Sequence, residues 1–204
     1  MLDLHRDRML EAAVHWGWYA AVRALDGEAG LRLMEKFLRE NVPDLAGTPY
    51  AAKVLINEDG ILSLVERPTG SIDLNNLFPS YLPAPWHHDT RHPPETSRVP
   101  GRNFHYEILV DKQSTTQSEF THFKTTHRPM YEEARLRAGI KSPADKKEVL
   151  LVNHKDGSIM EGSITTPYFW RNGRWVTPPV AEEFDIARGS GGNRGTSRRW
   201  ALER

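Results

Sequence analysis

The 204-residue chain contains no cysteine. That excludes a disulfide framework, cysteine-bound zinc, iron–sulfur ligation and a thiol nucleophile. Long apolar runs are also missing: the longest are a few residues, against the roughly 20 a bilayer-spanning helix needs. Neither sign of charge prevails. The 27 Lys+Arg are matched by 27 Asp+Glu for a net charge of +0, which removes the basic balance of a general nucleic-acid binder. The opening Met1-Leu-Asp-Leu-His-Arg-Asp7 carries charge where a signal peptide needs its apolar stretch. These absences predict a soluble, cytoplasmic protein with neither a nucleic-acid nor a membrane partner. What remains is 38% hydrophobic and 26% charged, with a mean hydropathy of −0.60. Such a chain is polar but globular, and long enough for one large domain or two small ones.

Leu10, Val14, Gly17/Trp18, Ala21 and Leu25 recur at spacings of three to four, which predicts one long first helix. A second amphipathic helix is expected over 28–40, with Leu31, Met34, Phe37 and Leu38 on its apolar face and Pro43 beyond it. Ala51–Asn57 and Ile61–Glu66 read as strands joined through Glu58-Asp-Gly60. Residues 67–102 hold seven of the 14 prolines and read as a long loop or insertion. Phe104–Asp111 is a further strand, and Pro129–Ala138 a short helix that presents Tyr131, Ala134 and Ala138 on one face. Short strands then follow from Glu148 to Thr177, joined by Asp156-Gly157 and Asn172-Gly173 turns. They predict an antiparallel meander or barrel.

Three segments could carry chemistry. Gly189-Ser-Gly-Gly-Asn-Arg-Gly195 feeds a helix start at Thr196, and reads either as an anion cradle or as a flexible surface loop. It is neither a Walker loop, since no Lys follows Gly195, nor a dinucleotide fingerprint, since Arg194 stands where the third glycine belongs. Lys124 lies between Phe123 and two threonines. Partial desolvation there would lower its pKa and make its amine reactive towards carbonyls, although a plain surface lysine fits the same residues. Glu161 ends a strand before Gly-Ser-Ile-Thr-Thr166, where it could face a cofactor or simply solvent. His87, His88 and His92 could ligate a metal, but no rigid element fixes them and no metal site is predicted.

The order of these segments is more specific than any one of them. Lys124, then Glu161-Gly-Ser-x-Thr165, Asn172-Gly-Arg-Trp-Val-Thr-Pro-Pro179 and Arg194-Gly-Thr-Ser-Arg198 resemble the second half of the fold-type IV pyridoxal-phosphate enzymes, the class IV aminotransferase-like family. His5-Arg-Asp-Arg8-Met-Leu-Glu-Ala-Ala13 is similar to that family's early phosphate-binding helix. The resemblance runs from about Leu4 to Arg204 and leaves 67–102 unmatched. Within the family, Phe123-Lys-Thr-Thr-His-Arg128 and Gly162-Ser-Ile-Thr-Thr-Pro-Tyr-Phe-Trp170 are most similar to aminodeoxychorismate-lyase-like proteins of fungal type. Strands that the family places before the Arg8 helix and after the Thr196 helix have no counterpart here. The chain therefore resembles the middle of such an enzyme, truncated at both ends.

The resemblance implies pyridoxal 5′-phosphate as cofactor and a role for each site residue. Lys124 would join the cofactor aldehyde and later move the substrate Cα proton. Glu161 would pair with the pyridine nitrogen, so that the ring withdraws electrons. Arg8 would grip the phosphate in the two-pronged manner that suits a guanidinium, with Thr196 and Ser197 completing the cup. Thr165 and Thr166 would line the ring face, although the family usually has Asn at the second of these. The implied fold is α+β: a smaller N-terminal α/β domain over 1–112 and a strand-rich, barrel-like C-terminal domain over 113–204, with the cofactor between them. The implied reaction converts 4-amino-4-deoxychorismate to 4-aminobenzoate and pyruvate, a step of folate-precursor synthesis, in a homodimer. An aminotransferase of branched-chain or D-amino acids fits the same cofactor residues, and so does a catalytically silent truncated homologue.

Overall fold

Gly17 ends the first helix where side-chain periodicity would have continued it. α1 spans Leu2–His15 and α2 spans Tyr19–Leu25, with Gly17 between them at φ +66. The N–H of Gly17 bonds the carbonyl of Val14, and that of Trp18 bonds the carbonyl of Ala13. This pair of bonds closes a helix around a left-handed residue, a conformation glycine adopts without steric cost. The single long helix expected over this region is therefore two. The break also redistributes the apolar face: Val14 is exposed, whereas Leu4 and Ala13 are buried. α3 spans Gly27–Asn41 and buries Met34, much as its periodicity predicts.

The computed structural model describes residues 1–42, 49–69, 84, 106–142 and 145–203. The chain divides into two compact units, Met1–Pro79 with Thr196–Arg204, and Ser80–Gly195. In the first unit, α1, α2 and α3 pack on one another over Leu4, Ala13, Ala21, Leu25 and Met34. A hairpin of β1 (Tyr50–Ile56) and β2 (Leu62–Pro68) follows, antiparallel with Ile56 opposite Leu62. Its connection is tied by the Ile61 N–H donating to the Asn57 side-chain oxygen at 2.8 Å. Apart from Ala84, the proline-rich stretch beyond Thr69 lies outside the described residues, and with it Phe104, His87, His88 and His92.

The second unit is built on a three-stranded sheet in the order β3-β4-β5: β3 is Glu107–Thr115, β4 Lys147–Asn153 and β5 Ile159–Gly162. β4 pairs parallel with β3 and antiparallel with β5. Within the stretch expected as an antiparallel meander, β4 and β5 pair as expected; β3, upstream of it, adds a parallel neighbour. Parallel strands need a crossover, and two helices supply it: α4 (Glu119–His122) and α5 (Pro129–Arg137). Tyr131, Ala134, Ile140, Val149, Leu151 and Met160 form the core between α5 and the sheet. Central β4 is buried along most of its length, as a strand flanked on both sides must be. β6 (Phe169–Arg171) and β7 (Arg174–Val176) make a separate hairpin, turning through Asn172 and Gly173 at φ 51 and 76 with Trp170 edge-on to Trp175. The expected barrel is not present among the described residues: the three sheets stay separate and open. α6 (Thr196–Glu203) is the last element and packs on α1 within the first unit.

Candidate functional site

The residues singled out in the sequence fall into two groups, one in each unit. In the second unit the centre is Glu161 on β5, opposite the apolar Leu151 of β4. The Tyr131 hydroxyl on α5 donates to Glu161 Oε1 at 2.5 Å, and the backbone N–H of Asn193 also reaches this carboxylate. The charges of Lys124 and Arg128 act on it too. Burial is nevertheless the largest influence and pushes the Glu161 carboxyl from its ordinary 4.5 up to about 7. At neutral pH the side chain is thus poised to share a proton with a weakly basic partner.

Lys124 is set two residues past α4 by a locally encoded stop. Ser118 and Thr121 cap the helix reciprocally, with the Ser118 N–H donating to Thr121 Oγ1 at 3.1 Å. His122 and Phe123 are buried against one another and against Phe184. They anchor the chain and leave Lys124 exposed. The desolvation expected of Lys124 is therefore absent here. Its link to the site is its charge on Glu161.

The glycine-rich loop is packed, not a flexible surface loop. Ser190, Gly191 and Gly192 are buried, and a Cβ at Gly192 would meet the Met160 carbonyl oxygen at 2.5 Å. Asn153 Nδ2 donates to the Ser190 carbonyl at 3.0 Å, which ties the loop to β4. Asn193 Nδ2 donates to the His122 carbonyl at 2.9 Å while its N–H serves Glu161. One loop residue thus braces both the Lys124 segment and the carboxylate. Nothing in the loop's sequence marks Asn193, whose role is a contact made only in the fold, and at Tyr131 core position and hydrogen-bonding role coincide.

The segment after Glu161 is shaped by Glu148, a buried residue that no sequence motif marked. Its carboxylate accepts from the Ser163 N–H and hydroxyl at 2.9 and 2.7 Å, from the Ile164 N–H, and from the Thr165 N–H and hydroxyl at 3.0 and 2.8 Å. Thr165 is exposed and Thr166 half-buried. The Thr165 hydroxyl proton is committed to Glu148, so its part is to form the turn. No hydrogen bond among the described residues engages the Thr166 hydroxyl.

In the first unit, Arg8 and Thr196 meet through His5. Arg8 Nη2 lies 3.3 Å from His5 Nδ1, and His5 Nε2 lies 3.4 Å from Thr196 Oγ1. Arginine can only donate, so Nδ1 accepts, neutral His5 carries its proton on Nε2, and Thr196 accepts it. The Thr196 hydroxyl proton is left to donate elsewhere. Burial pulls Arg8 from 12.5 down to about 10, with Glu11 opposing, so Arg8 stays charged at neutral pH at some desolvation cost. An anion would relieve that cost. Ser197 is exposed at the start of α6. Taken separately, the set in the first unit offers a cation and a hydroxyl that suit a phosphate, and the set in the second offers a carboxylate and an amine that suit a ring nitrogen and an aldehyde. No set of three or more His, Asp or Glu side chains among the described residues could hold a metal, and no described helix is long and apolar enough to cross a membrane.

Comparison with known proteins gives the family. The family described as amino-transferase class IV matches residues 54–204. The chain belongs to the class IV aminotransferases. That match contains Lys124, Glu161, Thr165, Thr166, Thr196 and Ser197, while Arg8 lies upstream of it. A protein of Schizosaccharomyces pombe (strain 972 / ATCC 24843), described as "Putative aminodeoxychorismate lyase", is 37% identical over 77 residues, covering 37% of this chain. The chain matches about a third of that relative's length, 32%. Class IV aminotransferases are pyridoxal-phosphate-dependent enzymes, so the resemblance read from the motifs holds at the level of the family.

One prediction follows from Glu161 itself. A carboxyl raised above its unfolded value contributes fully to stability below that value, here 4.5, and loses this as pH rises through about 7. The cofactor-free protein should therefore become less stable over this window. Glu161→Gln should flatten the profile and exceed the parent at about pH 8, as read from urea midpoints across the range. A parent profile already flat between these values would contradict the burial of Glu161.

Proposed function

We propose that this class IV aminotransferase binds pyridoxal 5′-phosphate and converts 4-amino-4-deoxychorismate to 4-aminobenzoate and pyruvate. The observation that carries the reading is the convergence of the Tyr131 hydroxyl, the Asn193 N–H and the Lys124 charge on the carboxylate of Glu161. Bound pyridoxal phosphate supplies a carbonyl for an amine and a ring that withdraws electrons. Glu161 then holds the ring nitrogen and its proton, with Tyr131 and Asn193 keeping the carboxylate in place. Lys124 would hold the aldehyde end through its amine, and the same amine would take the proton from the substrate Cα. Arg8, Thr196 and Ser197 are assigned to the phosphate, and Thr166 to the ring face. Loss of pyruvate leaves an aromatic ring, so the substrate provides the driving force and the protein need only orient its carboxylates and return a proton. A homodimer and a place in folate-precursor synthesis go with this reading.

Product analysis tests the reaction. Incubation with aminodeoxychorismate and pyridoxal phosphate should release 4-aminobenzoate and pyruvate without a keto-acid acceptor. Turnover of amino acids only when an acceptor is present would replace the lyase by a transaminase. The phosphate assignment has its own test. Arg8→Ala should weaken pyridoxal-phosphate binding by about 1.5–3 kcal/mol, the range for a hydrogen-bonded charged group. Unchanged affinity by spectroscopic titration would remove Arg8 from the site.

A further inference from the structure

Tyr131 does more than fill the core. The residue is 3% exposed, packed with Ala134, Val149, Leu151 and Met160, and it lies two residues after Pro129 in the first turn of α5. Its hydroxyl proton has two acceptors in range, Glu161 Oε1 at 2.5 Å and the Thr121 carbonyl at 3.5 Å. The shorter contact takes the proton, and the longer is at the edge of hydrogen bonding. Arg128 secures the arrangement from the other side. Its guanidinium lies 4.0 Å above the Tyr131 ring, and its Nη2 donates to the Ser163 carbonyl at 2.7 Å. Arg128 therefore spans from the α5 N-terminus to the turn held by Glu148.

We propose that Tyr131, clamped by Arg128, is a positioning residue that fixes the orientation and the charge of the Glu161 carboxylate. The inference rests on the reading of Glu161 as the partner of the cofactor's ring nitrogen. Its physical basis is direct: an O–H donor favours the ionised carboxylate, and burial keeps the Tyr131 phenol protonated so that it remains a donor. The other groups facing Glu161 are the Arg128 cation from the start of α5, the Lys124 cation beyond α4, and the Asn193 N–H from the glycine-rich loop. On β4 the residue opposite is apolar Leu151, and Gly192 approaches with backbone alone, where an added Cβ would lie 3.3 Å from the Glu161 Cβ. Tyr131 is thus the one side-chain hydroxyl in this set, and it can be removed without removing a charge.

The test uses the full chain with and without cofactor. Glu161 is followed by carbon NMR of its carboxyl in the cofactor-free protein and assigned with Glu161→Gln. Tyr131→Phe keeps the ring and its packing, so the fold by circular dichroism should be unchanged. Its Glu161 midpoint should rise by about one pH unit, the scale of one hydrogen bond to a carboxylate. Arg128→Lys keeps the charge but loses the planar stack and should raise the midpoint by a smaller amount. It carries the test alone if Tyr131→Phe fails to fold. Pyridoxal-phosphate affinity at about pH 7 should fall about tenfold in Tyr131→Phe, matching the shift in proton affinity. An unmoved midpoint, or a moved midpoint with unchanged affinity in a parent that binds cofactor, would overturn the proposal. A moved midpoint in a parent that takes up no cofactor would uphold the Tyr131–Glu161 coupling and overturn the cofactor reading instead.

Discussion

Lys124→Ala should lower turnover by about a thousandfold or more, since one amine performs both the covalent attachment and the proton transfer. The structure makes this substitution unusually clean. Lys124 is exposed, held in place by the buried His122 and Phe123 before it, so its truncation removes little packing. Substitutions at such surface positions stay within about 0.5 kcal/mol of the parent in stability. Lys124→Arg separates charge from chemistry. Arginine preserves the positive field on Glu161 but stays protonated and cannot act as a nucleophile. It should be as inactive as the alanine variant while leaving the pH profile of stability close to the parent's. Steady-state rates within about tenfold of the parent for either variant would exclude Lys124 from the reaction.

Glu148→Ala should destabilise the protein by about 3–5 kcal/mol, the cost of removing a buried charged acceptor on which several neutral donors converge. Glu148 is 5% exposed, and burial alone would raise its pKa. The Ser163 and Thr165 hydroxyls and the Val149 and Ile164 N–H groups more than offset that, holding its carboxyl below the ordinary 4.5. Alanine would remove the acceptor of the buried Ser163 hydroxyl and release the Ile164 and Thr165 N–H groups that it gathers into the turn. Glu148→Gln, which keeps one acceptor oxygen, should cost about 1–3 kcal/mol. The sign with pH is opposite to that of Glu161. The stability Glu148 contributes is present above 4.5 and lost as pH falls through its lower folded value. Urea unfolding at neutral pH and in acid reads both effects. An alanine variant within about 1 kcal/mol of the parent at neutral pH would mean the turn after Glu161 does not depend on Glu148.

Local chemistry made much of this structure legible in advance. The β1–β2 hairpin, the Asn172-Gly173 turn, and the apolar face of α5 all follow from residue type and spacing within ten residues or so. The parallel pairing of β3 with β4 does not, because strand partners distant in sequence are chosen by how the crossover helices pack. Gly17 shows the limit of periodicity: the pattern runs through it, but its left-handed backbone ends the helix. Among the site residues, Lys124 and Glu161 stood out by order. Tyr131, Asn193 and Glu148 did not, since each acts through a contact made only in three dimensions. His5 lies in the same early helix as Arg8, yet its bridge from Arg8 to Thr196 depends on α6 returning to α1.

The central claim is that Lys124 is the cofactor-bearing amine of a pyridoxal-phosphate enzyme. Borohydride reduction of the protein with pyridoxal phosphate, followed by peptide mapping, tests it directly. The account predicts a single stable adduct on Lys124, reduced in yield by Glu161→Gln and absent from Lys124→Arg. Adducts scattered over other lysines, with Lys124 unmodified, would contradict it.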